Sequence, residues 1–143
     1  MLISSWSISS AVVMVLVGLH SDRTGERRWH LAVPAFTGAV ALLLAAYSTS
    51  VVAMITSISL ALVGVFSMVG PFWAMPSSLL AGTAAAAGIA FINSIGNLGG
   101  FFGPYIIGLV RTSTGNFKGG LLVVGGTLTM SGCLALLVGL HKK

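Results

Sequence analysis

Acidic residues are almost absent. Of 143 residues only Asp22 and Glu26 carry a carboxylate side chain, and all charged residues together make up 6%. A soluble domain has about a quarter of its residues charged. So few charges cannot cover a water-facing surface. Between Leu31 and Val110 there is no Asp, Glu, Lys or Arg at all. One helix crosses a bilayer with about 20 residues, so this stretch must cross more than once. Cysteine is also scarce. Cys133 is the only one, which excludes an internal disulfide; in its apolar run it reads as a small buried residue. Alternation of apolar and polar residues is lacking too. Runs such as "AVALLLAA" and "GTAAAAGIAF" exclude the strands of a membrane barrel.

What is present is hydrophobic. Apolar residues reach 56%, and the net charge is +5. The basic residues read as loop markers of orientation. No basic patch with interleaved aromatics points to nucleic acid. The fold class predicted is an all-α membrane protein forming a single membrane domain over 1–143. Five spans are expected, at roughly 2–19, 31–47, 51–73, 84–110 and 121–140. Pro71 and Pro76 are expected to break the third. The first span lacks a basic leader and a cleavage site, so it does not read as a signal peptide. A chain that starts inside a hydrophobic helix reads as the back part of something longer. Arg23, Arg27 and Arg28 should place the 20–30 loop in the cytoplasm, together with the tail His141, Lys142 and Lys143. Arg111 and Lys118 then lie outside and count against that orientation.

Both acids and three arginines crowd into "GLHSDRTGERRWH". Gly18 lets one helix approach another, and Gly25 suits a tight turn with positive φ. Asp22 suits the positive end of a neighbouring helix, with Arg23, Arg27 and Arg28 as its partners. Such a cluster could latch two helix ends in one state and free them in another. A solvated loop that obeys the positive-inside rule would have the same composition.

The spacing Gly18, Asp22-Arg23, Gly25, Arg27-Arg28 resembles the loop signature of the major facilitator superfamily. Glu26 departs from it, standing where that family has its first basic residue. "SDRTGERRWH" and "GTAAAAGIAFINSIGNLGGFFGPYIIGLV" resemble the organic-anion:proton symporter branch, which includes tartrate, phthalate and hexonate permeases. The resemblance implies that the five spans correspond to helices 8 to 12 of a twelve-helix transporter in the cell's inner membrane.

In the fourth span Asn93, Asn97, Gly100 and Pro104 recur at i, i+4, i+7 and i+11, on one helical face. Gly96 with Gly100, and Gly99 with Gly103, have the Gly-x-x-x-Gly spacing that allows close helix packing. A carboxamide in hydrocarbon is costly without a partner, so both asparagines should point into the bundle. They would either hydrogen-bond a substrate or bond another helix. The resemblance implies a substrate-facing role for Asn93, with Trp73 and Phe72 as aromatic walls; Asn97 could serve packing. The serines and threonines of the third span, Thr56, Ser59 and Ser67, and Thr127, Thr129 and Ser131 in the fifth, are expected either to serve helix packing or to bond back along their own helices, with a pathway role as the alternative.

The same glycines fail as a dinucleotide fingerprint, because no strand precedes them and no acidic residue follows. No metal cluster, cofactor motif or catalytic set at membrane depth stands out, so no enzyme, metal or cofactor is expected. Nor does any predicted span hold an Asp, Glu, Lys, Arg or His, whereas proton coupling normally needs an ionisable group in the membrane. The resemblance assigns the substrate arginine and the proton-carrying acids to a missing N-terminal half. The expected partners are therefore a small organic anion, protons, the lipid bilayer and that half. The alternative is a small non-transporting membrane assembly protein built on glycine-mediated packing.

Overall fold

In the computed structural model, residues 2–138 are described, with side chains from Ser10 onward except that of Leu79. The tail His141, Lys142 and Lys143 lies outside the described residues. The described residues form five helices: α1 (Leu2–Thr24), α2 (Arg27–Tyr47), α3 (Val51–Leu79), α4 (Gly82–Thr114) and α5 (Lys118–Val138). The chain is 92% helical, with no strand among the described residues. Among those residues four helices, α2 to α5, are long and apolar enough to cross a membrane. The chain is an all-α, multi-pass membrane protein.

Helix ends depart from the expected spans where charge or proline governed the reading. α1 continues through His20, Asp22 and Arg23, so the charged loop shrinks to Gly25 and Glu26. Helix α3 runs through Pro71 and Pro76 and stops only at Leu79. A proline removes one backbone donor. In lipid no water competes for the other backbone groups, so the remaining ladder holds. The Leu80 N–H closes the helix on the Pro76 carbonyl at 3.0 Å. At 29 and 33 residues, α3 and α4 are about 44 and 50 Å long. Both exceed the roughly 30 Å hydrocarbon core, so they tilt or project beyond it.

Helix α2 is the centre of the packing, with α3 on one side and α5 on the other. Its small residues Ala32, Ala35, Gly38, Ala39, Ala41 and Ala45 are buried. Ala41 and Leu42 meet Ala61 of α3, with Leu121, Val124 and Leu128 of α5 packed around them. The α2–α3 crossing brings backbones together. A Cβ on Gly64 would lie 2.7 Å from the Pro34 carbonyl oxygen and 3.4 Å from the Gly38 nitrogen. Gly132 of α5 faces the Phe36 ring in the same way, at 3.0 Å. Apolar attraction alone cannot gather helices in lipid, since the tails are as apolar as leucine; close backbone contact at small residues can.

Hydroxyl residues behave as expected for membrane helices. Thr56, Ser59, Ser67 and Thr129 each donate to the carbonyl four residues earlier, at 3.0, 2.9, 2.6 and 2.9 Å. Ser131 donates to the Thr127 carbonyl at 2.9 Å, and Thr127 to that of Val124 at 2.8 Å. The expected burial of Cys133 is corrected: it is exposed on α5. Gly132 beside it takes the buried position instead, where an added Cβ would press on the Phe36 ring at 3.0 Å.

Candidate functional site

The charged turn is built around one left-handed residue. Gly25 has φ 66°, which L side chains rarely adopt. Its N–H reaches the Ser21 carbonyl at 3.0 Å and ends α1, the arrangement of a left-handed helix cap. Ser21 is buried, and its hydroxyl points to the Glu26 carbonyl at 3.5 Å. His30 Nδ1 donates to that same carbonyl from one turn into α2. The His20 and His30 rings sit 5.1 Å apart. Ser21, His20 and His30 thus join the two helix ends across the turn. The four-residue step from Glu26 to His30 is a helical neighbour spacing.

Two ion pairs decorate this frame. Arg27 Nη2 lies 3.7 Å from Asp22 Oδ1, and Arg28 Nη2 lies 3.5 Å from Glu26 Oε1. Asp22 is 64% exposed and Arg27 only 26%. The Nη1 of Arg27 is buried and has no hydrogen-bond partner among the described residues. Arg23 is exposed, with no ion pair among the described residues. The turn therefore brings together Asp22, Gly25 and Arg27 and leaves Arg23 facing outward. Gly18 lies one helical stretch earlier, against Gly70 of α3. A Cβ on Gly70 would stand 3.6 Å from the Gly18 Cα, while one on Gly18 would meet nothing within 4 Å. The helices approach here, but Gly18 itself is not sterically required.

The second predicted cluster lies on α4. No residue of this helix is buried. Asn93 and Asn97 are exposed and make no hydrogen bond among the described residues. In this chain neither is packed against the other four helices. The physical reason is that α4 meets its neighbours near its ends: Gly88 near Leu80, and Val110 and Ile107 near Gly119 and Gly120. Most of its middle is exposed. Gly96, Gly99, Gly100 and Gly103 likewise have nothing within 4 Å of an added Cβ. The close packing that the chain does make runs through Gly38, Gly64, Gly120 and Gly132. The small-residue stripe of α2, with Ala35 and Ala39 four apart and Ala41 and Ala45 four apart, carried that signal. Phe72 and Trp73 sit together on α3 in an edge-to-face pair 5.3 Å apart, Phe72 exposed and Trp73 half-buried.

Asn93, Asn97 and four glycines with open space beside them thus share one unburied helix. Comparison with known proteins says what kind of protein carries it. Two Agrobacterium vitis proteins, both named for tartrate transport, are 48% and 46% identical over 131 residues, 92% of this chain. This chain is a homologue of membrane transporters. A quinolone resistance transporter of Acinetobacter baumannii is 38% identical over 114 residues, 80% of the chain. The chain spans less than a third of the length of these relatives: 29%, 30% and 26%. No family model and no solved structure matches it.

Proposed function

We propose that this chain forms helices 8 to 12 of a major facilitator transporter in the inner membrane. That transporter would move a small tartrate- or hexonate-like carboxylate with protons by alternating access. The observation that carries the reading is the 48% identity to a protein named for tartrate transport over nearly the whole chain. The loop spacing from Gly18 to Arg28 supports the same family. On this reading the arginine-rich turn faces the cytoplasm.

The residues would divide the work as follows. Asn93, with Asn97 one turn on, donates carboxamide N–H groups to the anion's oxygens, and Phe72 and Trp73 wall the cavity. Asp22 and Arg27 form a latch between the ends of α1 and α2, with Arg23 and Arg28 beside it, that opens as the halves rock. The substrate cation and the proton-carrying acid come from the remainder of the transporter, which also covers the open flank of α4. The exposed glycines Gly96, Gly99, Gly100 and Gly103 also fit the alternative of a non-transporting assembly protein.

One substitution separates the two. In a complete transporter carrying this segment, Asn93→Ala removes a hydrogen bond to a charged group, worth about 1.5–3 kcal/mol. The apparent affinity for tartrate in uptake assays should fall roughly ten- to hundredfold at unchanged expression. Lowered expression with unchanged affinity would reject the substrate role and favour packing.

A further inference from the structure

The end of the bundle opposite the arginine-rich turn carries a feature apart from the residues proposed for transport. An apolar groove of about 660 Å³ runs between α2 and α3, lined by Val40, Leu43, Leu44 and Tyr47 on one side and Ala53 and Ser57 on the other. Leu44 is 60% exposed and Tyr47 64% exposed, so the groove is open along its outer side. At its mouth Lys118, the first residue of α5, holds its Nζ 3.7 Å from the centre of the Tyr47 ring. Arg111 stacks on Phe117 nearby in the same connection. Both acidic side chains of the protein lie in the turn at the far end. Lys118 therefore makes no ion pair among the described residues.

We propose that this groove holds a phospholipid, with an acyl chain along α2 and the headgroup phosphate on Lys118. Three features favour that occupant. From Val40 to Tyr47 the groove extends about 10 Å along the helix, about a third of a bilayer's hydrocarbon thickness. It thus seats the part of a chain nearest the glycerol. An aromatic ring with its hydroxyl end and a lysine at the mouth are the residues that sit at headgroup depth. An unpaired ammonium above an apolar slot complements an anionic head joined to an apolar tail. The proposal depends on the chain lying in a membrane and is independent of what the transporter carries.

Native mass spectrometry of the delipidated chain in mild detergent tests it, with palmitoyl-oleoyl phosphatidylglycerol as the probe. One lipid should bind ahead of the rest. Lys118→Gln should weaken that first event roughly fivefold, the effect of one lysine near an anionic headgroup. Lys118→Arg should retain it, and Leu44→Trp, which fills an exposed part of the groove, should abolish it. Diacylglycerol with the same tails should bind no better than it does to Lys118→Gln. Four results would overturn the proposal: equal binding by Lys118→Gln, equal binding of diacylglycerol, displacement of the lipid by glycerol 3-phosphate alone, or cross-linking of two copies through Leu43→Cys in a Cys133→Ser background.

Discussion

A single methyl group at Gly64 tests the packing that places every other element. Gly64→Ala puts a Cβ 2.7 Å from the Pro34 carbonyl oxygen, where ordinary contact begins near 3.4 Å. The obstacle is helix backbone and cannot swing aside, so α3 must move away from α2 by about 0.7 Å. That displacement loosens Ala61 from Ala41 and Leu42. Overpacking of this kind costs about 1–3 kcal/mol. Alanine recovers roughly 0.5–1 kcal/mol of helix preference. The net loss lies between about 0 and 2.5 kcal/mol, at most roughly a seventyfold shift toward the unfolded state. Thermal unfolding in dodecyl maltoside, followed by circular dichroism, measures it. Gly18→Ala is the control, because its Cβ meets nothing within 4 Å. A Gly64→Ala protein at least as stable as the parent, beside a destabilised Gly18→Ala, would refute the assignment of the α2–α3 crossing.

Gly25→Ala should destabilise by about 1–2 kcal/mol, since φ 66° is unfavourable for an L side chain, whereas Gly25→Asn should recover part of the loss; both are read as unfolding midpoints in the same detergent. Asp22→Asn should change stability by less than about 1 kcal/mol, because its pair with Arg27 is 3.7 Å long and Asp22 is mostly exposed. Slowed tartrate uptake by a complete transporter carrying Asp22→Asn, with its melting point unchanged, would assign the pair to gating. Unchanged uptake would leave it a surface ion pair.

Several features could be read before any coordinates. The hydroxyl residues bond back along their helices because their own carbonyls are the nearest acceptors in lipid. The turn at Gly25 followed from a glycine set among charges. Proline misled the reading at Pro71 and Pro76, because rules for helix ends formed in water assume that freed backbone groups find solvent. Glycine spacing carries less information. Gly96 and Gly100 have the spacing for close contact, but spacing along one helix does not say which helix arrives. In this chain the contact goes to Gly38 and Gly64, which sit a whole helix apart and share no motif.

Hydropathy and charge placement by themselves determined that this chain is helical, lies in a bilayer and turns at residue 25, because solvation by lipid depends only on local composition. The crossing of α2 and α3, the joining of the turn through Ser21 and His30, the meeting of Lys118 with Tyr47, and the outward face of Asn93 were decided by tertiary structure. Each needs two helices fixed in relative position, and that position follows from the shapes of facing surfaces, which no single stretch of sequence contains.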